Sequence, residues 1–404
     1  MQVTAVRSRV VDLPLEGEFK PAWMRGGSQS SFVMTLIEVD TDEGITGIGA
    51  ADAGIEVAVA IDRFVAPHLI GRDPMEIERL TGVLKDAEIM APPVYCIELC
   101  LWDIVGKTAG LPVYKLWGGH KDRVPAYCAT GELRSPERRA EDVRALVADG
   151  FRGVKLRFHR PDPRDDIAVV EAVRAAVGGE VELIVDANQA GVLPGIGGHD
   201  RWNFQGALSV ARELERLGVL WLEEPLPRHD YAGLARLRDR LDSLALAGGE
   251  CNHGIHEFKL LIDRGCYDIL QPDVVISEGA FQLWKVSALA EAAHLRVVPH
   301  TWTNGIGLVA NLHLAAAIPT CDWLEFPHDP GSGWTAAAGN QMLVDPPWID
   351  ADGCVPVPDR PGFGFELDHE RIEHHTVAVF EARSNGRGLA VPAAAIPKLG
   401  DPVG

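Results

Sequence analysis

Short apolar runs recur through the middle of the chain, and each ends in an acidic residue or a histidine. The segments between them have apolar residues at helical spacing, so strand and helix alternate. This alternation predicts a parallel barrel, whose chemistry lies at the strand ends. An open doubly wound sheet is disfavoured because no glycine-rich turn follows the first strand. The five central runs end in Asp186, Glu223, Glu250, Asp273 and His300.

The pattern changes on both sides of this region. Residues 1–50 alternate like antiparallel strands and residues 56–118 are helical in pattern, so residues 1–120 are predicted to form an α+β unit. Residues 121–330 form the predicted barrel. Residues 331–383 contain strand-like pieces at 341–344 and 363–367 and are expected to return to the N-terminal unit. Residues 384–404 are expected to be a loosely held tail.

Composition excludes several classes of protein. The 404 residues are 47% hydrophobic and 24% charged, typical of a packed globular chain. A net charge of −20 argues against binding to nucleic acid or to an anionic membrane. No run is long enough to span a bilayer, and the N-terminus lacks the apolar core of a signal peptide. The seven cysteines are scattered without a CxxC pair, so we expect reduced thiols and a cytoplasmic protein.

Three carboxylates, Asp186, Glu223 and Glu250, close consecutive predicted strands. Acidic groups held this close repel one another, so the set predicts a bound cation. Oxygen ligands alone favour Mg²⁺ over Mn²⁺ or Ca²⁺ and offer nothing that zinc prefers. Glu223 and Glu224 compete for the central position. Glu223 continues the inward parity of its strand and is our predicted ligand, with Glu224 in support.

Asp273 and His300 end neighbouring strands, and an Asp beside an imidazole orients it and raises its pKa. We therefore predict that this pair is a general acid or base. Glu325 closes the eighth strand. The sequence leaves open whether Glu325 protonates or hydrogen-bonds a developing oxyanion, or only accepts a hydrogen bond from a neighbour.

Two basic residues, Lys155 and Arg157, are two positions apart in the second strand, so both point to the same side. Val154, Leu156 and Phe158 point to the other side, toward the predicted helices. The two cations are therefore expected inside the barrel, paired with the acidic groups, because an unpaired buried cation is costly.

A glycine- and serine-rich loop at residues 19–31 contains Trp23 and Arg25. A large aromatic and an arginine in one loop are compatible with a substrate lid, and equally with an ordinary surface loop. Together the predicted groups suit the abstraction of a proton next to a carboxylate, because the resulting enediolate needs a divalent ion and hydrogen-bond donors to stabilise it.

The chain resembles the mandelate racemase-like group of the enolase superfamily from its N-terminal unit to about residue 370. The resemblance is carried by Lys155-Leu156-Arg157, Asp186-Ala187-Asn188-Gln189, Trp221-Leu222-Glu223-Glu224-Pro225, Gly249-Glu250, Gln271-Pro272-Asp273, Pro299-His300 and Trp323-Leu324-Glu325.

This resemblance implies an α/β fold, a (β/α)7β modified TIM barrel with an N-terminal α+β capping domain that the C-terminal segment completes. It implies Mg²⁺ on the three carboxylates, an acid/base dyad of Asp273 and His300, and Glu325 near the substrate carboxylate. Lys155 is implied to bind that carboxylate. We expect Asn188, Trp23 and Arg25 to contact the substrate.

One departure from the group matters. Arg157 stands where the group usually has a second lysine as base, and a guanidinium does not lose its proton at working pH. A reaction with His300 as single base is therefore favoured, and dehydration of an acid sugar to a 2-keto-3-deoxy acid fits. The alternatives are a racemase, epimerase or cycloisomerase on the same scaffold, or a non-catalytic barrel that binds a ligand or a partner. We also expect a homo-oligomer, because barrels of this kind commonly assemble.

Overall fold

The computed structural model describes residues 1–24, 26–191, 201–384 and the backbone of 386–390. The N-terminal unit begins with an antiparallel sheet and continues as helices. Its strands are β1 (Val3–Phe19), β2 (Gln29–Thr41) and β3 (Thr46–Ala51). Its helices are α1 (Ile55–Ala60), a π-helical turn (Ile61–Val65), α2 (Ala66–Leu69), α3 (Ile77–Glu88), α4 (Ile97–Ala109) and α5 (Val113–Leu116).

Close packing of α4 on β3 holds this unit together. A side chain at Gly47 would place its Cβ 2.0 Å from the backbone oxygen of Cys100, so only glycine allows the helix to approach the strand. Helix α4 ends at Gly110, whose φ of 67° is left-handed. Glycine adopts this conformation at little cost, which explains why the helix stops here.

Strands and helices alternate through the central region. Its elements are β4 (Arg123–Ala129), α6 (Pro136–Ala148), β5 (Gly153–Arg157), α7 (Pro163–Val177), β6 (Glu182–Asp186), α8 (Phe204–Arg216), β7 (Trp221–Glu223), α9 (Tyr231–Arg238), β8 (Ala245–Gly248), α10 (Gly254–Arg264), β9 (Ile269–Leu270), α11 (Ala280–Ala292), β10 (Arg296–Val297), α12 (Gly305–Ala317) and β11 (Leu324–Pro327). Among the described residues of this region, seven strand–helix units are followed by a last strand, so the predicted (β/α)7β arrangement is confirmed.

The strands pair in parallel in the order β10-β9-β8-β7-β6-β5-β4-β11. Two hydrogen bonds link the chain near β10 to the chain near β11, so the two ends of the sheet lie next to each other. The Val297 N–H donates to the Thr320 carbonyl, and the Thr301 N–H donates to Glu325 Oε2. Apolar side chains fill the interior. They are Tyr127, Ala129, Ile184, Trp221, Ala247, Ile269 and Val298.

The C-terminal segment packs on both parts of the molecule. It contains α13 (Ala336–Gly339), β12 (Cys354–Pro356), α14 (His369–His375), β13 (Thr376–Arg383) and β14 (Gly386–Ala390). Strand β12 pairs with β4, while β13 joins the N-terminal sheet beside β1. The return of the chain to the N-terminal unit is therefore made by β13.

Two expectations for this segment were wrong. The pieces at 341–344 and 363–367 are not strands, since only one bridge, between Leu343 and Leu367, joins them. The tail does not become loose at residue 384, because β14 pairs with β13. Residues 391–404 lie outside the described residues. In the described part of the chain, no helix has the length and apolar character needed to cross a membrane.

Candidate active site

Strand register brings the predicted site residues to one end of the barrel. Arg157 is opposite Asp186 in the β5–β6 pair, and Asp186 is opposite Glu223 in the β6–β7 pair. Strands β8, β9 and β10 end earlier than predicted, so Glu250, Asp273 and His300 lie in the loops just beyond them. Proline explains two of these early ends, since Pro272 and Pro299 have no N–H for a ladder.

Lys155 is fully buried at the centre of this end. Its Nζ lies 2.8 Å from Glu223 Oε1, 2.6 Å from Glu325 Oε1 and 3.8 Å from Asp186 Oδ2. Burial alone would lower the pKa of Lys155, but Glu223 and Glu325 outweigh it and raise this pKa above its usual range. The lysine is therefore a fixed positive charge that holds several acidic groups together.

Arg157 lies beside Lys155 and is 6% exposed. Its Nη1 bonds to Asp186 Oδ2, and its Nε donates to the Thr130 carbonyl at 2.8 Å. The guanidinium carbon lies 4.7 Å from the ring centre of Trp23 and 5.1 Å from that of Trp302. Nη2 is buried and has no hydrogen-bond partner among the described residues. One donor of this arginine is thus left for another molecule.

The Asp273 and His300 side chains form a hydrogen-bonded pair. Oδ2 of Asp273 lies 3.0 Å from Nδ1 of His300, and Oδ1 accepts from the Val275 N–H at 2.8 Å. Asn311 of α12 donates to the His300 carbonyl at 3.1 Å and to Asp273 Oδ1 at 3.3 Å. These bonds fix the orientation of the imidazole.

Nε2 of His300 faces the other predicted groups, 3.2 Å from Glu250 Oε2. Burial would lower the pKa of His300, but Glu250, Glu325 and the bond to Asp273 raise it to about 10. Glu325 is itself held as a carboxylate. Burial would raise its pKa, but Lys155 and His300 lower that pKa below its usual range.

The acidic groups at this end outnumber what the two cations can neutralise. Burial raises the pKa of Glu224 well above its usual range, and Glu250, Asp186 and Glu223 add to this effect. Burial also raises the pKa of Glu223, although Lys155 opposes it. Buried carboxylates at one barrel end, crowded enough to disfavour one another's charge, fit a hard divalent cation.

The carboxylates are not drawn together around one point, however. Within the described residues, no group of three or more acidic, histidine or cysteine side chains is arranged to hold a metal ion. Instead Lys155 and Arg157 lie among them and bond to Glu223 and Asp186. Ligation by Asp186, Glu223 and Glu250 therefore stays a prediction, and it requires these ion pairs to loosen.

Two of the three predicted substrate-binding residues, Asn188 and Trp23, contact charged residues of the site. Asn188, with a left-handed φ of 46°, donates from its backbone N–H and from Nδ2 to the Asp186 carboxylate. Trp23 reaches Arg157 from the loop between β1 and β2. Arg25 lies outside the described residues. The same loop lines a cavity of about 430 Å³ between Lys20, Met24, Glu132 and Arg160.

Several residues of the site had no role among the sequence-based predictions. Gln271 donates to Glu223 Oε2 at 2.8 Å, and the inward parity that it shares with Ile269 and Asp273 was a usable signal. Trp302 and Phe19, whose rings stack at 5.8 Å, extend the aromatic surface around Arg157. Asn311 gave no signal, because a single amide in an apolar helix reveals nothing of its partners.

Two family models match the chain. Residues 9–118 match the mandelate racemase / muconate lactonizing enzyme N-terminal domain, and residues 138–371 match the enolase C-terminal domain-like family. Among curated proteins, the chain is 30% identical to arabinonate dehydratase of Saccharolobus solfataricus, over 85% of this chain and 91% of that one. It is also 30% identical to 3,6-anhydro-alpha-L-galactonate cycloisomerase of Streptomyces coelicolor, over 86% and 92% of the two chains.

Solved structures give the same result. The L-talarate dehydratase of Polaromonas sp. JS666, complexed with Mg and L-glucarate, has a TM-score of 0.82 and 29% identity, covering 95% of this chain and 99% of that one. A Bordetella bronchiseptica protein described as a mandelate racemase also has a TM-score of 0.82. It is 30% identical to this chain, and the match covers 93% of this chain and 98% of that one. The expected resemblance is confirmed over almost the whole length.

Proposed function

Because the chain belongs to the mandelate racemase / muconate lactonizing enzyme family of the enolase superfamily, we propose that it removes the proton next to the carboxylate of an acid sugar and eliminates water. The observation that carries this proposal is that the same end of the barrel holds one imidazole oriented by Asp273, His300, and an arginine rather than a second base at 157. The similarity to acid-sugar dehydratases supports it further.

His300 is the base in this proposal. Asp273 holds Nδ1, so Nε2 is the nitrogen that takes the α-proton. In this structure Nε2 lies 3.2 Å from Glu250 Oε2. If Glu250 binds the metal ion as proposed, Nε2 is free to contact the substrate. The imidazolium that forms is then the acid for the second half of the reaction.

Lys155 and Arg157 receive the negative charge of the substrate. Lys155 exchanges part of its pairing with Glu223 and Glu325 for the substrate carboxylate. Arg157 offers its free Nη2 as a donor. Both groups are already charged and buried, so the developing enediolate meets positive charge that is already in place.

Mg²⁺ is the proposed cofactor, held by Asp186, Glu223 and Glu250. When bound, it supplies positive charge that stabilises the enediolate oxygens. The crowding that raises the pKa of Glu223 and Glu224 supports a cation at this end of the barrel, as does the Mg bound in the L-talarate dehydratase structure.

A single imidazole carries out both proton transfers of the elimination. The α-proton passes to His300, the electron pair of the C–H bond expels the β-hydroxyl, and the imidazolium returns its proton to that hydroxyl, which leaves as water. The resulting enol becomes a 2-keto-3-deoxy acid. Arg157 remains protonated throughout, so the opposite face of the α-carbon has no base.

A library of aldonates and aldarates, incubated with the protein and Mg²⁺, tests the proposal. We expect one or a few of these acids to yield a product lighter by one water that reacts as a 2-keto acid. We expect EDTA to abolish the reaction and Mg²⁺ to restore it. Neither product nor exchange of the α-proton in D₂O across the whole library would refute the proposal.

A cycloisomerase is the second candidate, because a cycloisomerase matches this chain as well as a dehydratase does. Expulsion of a ring oxygen in place of a hydroxyl also needs only one base. Anhydro-sugar acids and sugar lactones therefore belong in the library. A product of unchanged mass would assign the cycloisomerase, and loss of one water would assign the dehydratase.

We further propose a cytoplasmic homo-oligomer that binds a small carboxylate. All seven cysteines are free thiols, which supports a reducing compartment. Light scattering after gel filtration measures the oligomer directly, and a monomeric mass would contradict this part of the proposal.

A further inference from the structure

A serine hydroxyl joins the loops that carry Asp273 and Glu250. Ser277 is fully buried. The Asp273 N–H donates to Ser277 Oγ at 3.1 Å, and Ser277 Oγ donates to the Glu250 carbonyl at 2.8 Å. The Ser277 N–H also donates to the Asp273 carbonyl at 2.7 Å. One short side chain thus fixes the distance between the backbones of the two loops.

The residues after Ser277 have an unusual backbone. Glu278 has a φ of 93° and Gly279 a φ of 87°. A glutamate is strained in this left-handed region, and such strain persists only where neighbouring contacts hold it. Glu278 Oε1 is bound by Lys85 Nζ at 2.7 Å, and Lys85 belongs to α3 of the N-terminal unit.

A second contact from the N-terminal unit holds the same turn. Glu98 of α4 is fully buried, and its Oε1 accepts the Phe281 N–H at 2.7 Å in the first turn of α11. A Cβ at Gly279 would lie 2.8 Å from Glu98 Oε2, so the turn has no room to shift toward α4. Residues 277–281 are therefore clamped between the barrel and the N-terminal unit.

We propose that Ser277 is a positioning residue, which holds the His300–Asp273 dyad at its working distance from Glu250, and that Lys85 and Glu98 of the N-terminal unit keep Ser277 in place. This inference rests on the proposed function for its catalytic consequence. None of the motifs that carry the family resemblance includes Ser277 or Glu278.

Hydrogen–deuterium exchange of the metal-free protein tests the structural part without any substrate. In Ser277→Ala, we expect the amides of peptides covering 249–252 and 271–277 to exchange at least fivefold faster, because one buried hydrogen bond is lost on each side. The matched control is Ser287→Ala. It also removes a buried hydroxyl, one that donates only to the Trp284 carbonyl within α11.

Steady-state kinetics tests the catalytic part. We expect Ser277→Ala to lower kcat about fivefold to tenfold while KM stays within twofold, and Ser287→Ala to leave both unchanged. Equal effects of the two variants, or unchanged exchange in Ser277→Ala, would overturn the inference. If the wild type shows no turnover, the proposed function fails, whereas the exchange experiment still decides the role of Ser277.

Lys85→Met provides a second route if Ser277→Ala does not fold. Lys85 is partly exposed and distant in sequence from the site, and its substitution removes the ion pair with Glu278 and a positive charge near Glu98. We expect faster exchange in the peptide covering 271–281 and no change in the peptide covering α8. No change in either peptide would refute the proposed clamp.

Discussion

The guanidinium carbon of Arg157 lies 4.7 Å from the centre of the Trp23 ring, so a side chain of the barrel interior contacts the loop between β1 and β2. The same guanidinium bonds to Asp186 and lies 5.1 Å from the Trp302 ring. Arg157 therefore joins the acidic end of the barrel to the aromatic surface that covers it. In the proposed mechanism it also leaves the site with His300 as its one base.

Arg157→Lys is expected to create a second base, because a lysine amine can lose its proton and a guanidinium cannot. We predict that the wild type exchanges the α-proton of its substrate from one face only. The lysine variant should in addition invert the configuration at that carbon. NMR of the recovered acid in D₂O measures both. Arg157→Gln is the control, since it removes the charge without adding a base, and inversion by the wild type would contradict the one-base mechanism.

His300→Asn is expected to lower the rate of α-proton exchange by about 10²-fold to 10⁴-fold, the usual contribution of a general base. Asparagine retains a polar group next to Asp273, so we expect the variant to fold and to bind the substrate. The matched control is His294→Asn. His294 is exposed and has a φ of 57°, which asparagine tolerates, so this variant should keep full activity. Equal activity of the two variants would exclude His300 as the base.

Trp23→Leu is expected to raise KM about threefold to tenfold and to change kcat less. The substitution removes one aromatic face from the Arg157 guanidinium, a contact worth ~0.5–2 kcal/mol. Steady-state kinetics on the identified acid sugar checks it. The control, Trp348→Leu, replaces a tryptophan that packs on Phe151 and Phe326 and should leave KM unchanged. An unchanged KM in Trp23→Leu would remove this residue from substrate binding.

The barrel and its polar end were predictable because strand parity repeats with a period of two. Trp221 and Glu223 point inward from one strand, and Ile184 and Asp186 do so from the next, as their alternation predicted. Pairing of His300 with Asp273 followed from the same rule. Arg157 was recognised as unusual by comparison with the resembling group, which usually has a lysine at this position.

Long-range contacts could not be predicted in this way. The role of Ser277 depends on a 2.8 Å bond to a carbonyl 27 residues away, and no periodic pattern encodes that bond. Two strand ends were also misplaced, because the runs continue beyond Leu270 and Val297, where the strands stop just before Pro272 and Pro299. Pairing of Lys155 with Glu223 and Glu325 required the register of three strands.

The last prediction concerns Glu98, the buried carboxyl group that holds the first turn of α11. Burial raises the pKa of Glu98 from 4.5 to about 7. A protonated Oε2 has a partner in the Thr81 hydroxyl at 3.2 Å, and that hydroxyl donates its own proton to the Ile77 carbonyl. The neutral acid is therefore the form that the folded protein favours near and below pH 7.

This shift gives a defined dependence of stability on pH. The folded state binds the Glu98 proton more tightly than the unfolded state does, so its contribution is complete below pH 4.5 and is lost as pH rises through about 7. Glu98→Gln keeps an acceptor for the Phe281 N–H and a donor for Thr81 but cannot ionise. We expect the variant to match the wild type at pH 5. At pH 8 it should be more stable, by at most a few kcal/mol, since one pKa unit corresponds to ~1.4 kcal/mol.

Urea unfolding at pH 5, 6, 7 and 8 measures this difference in the free energy of unfolding. The control is Glu78→Gln, which removes an exposed carboxylate of α3 that pairs with Lys285. It should not change the slope of stability with pH between 5 and 8. A gain in stability for Glu98→Gln that is equal at every pH would mean that Glu98 stays ionised in the folded protein. The clamp on α11 would then depend on a buried charge rather than on a neutral hydrogen bond.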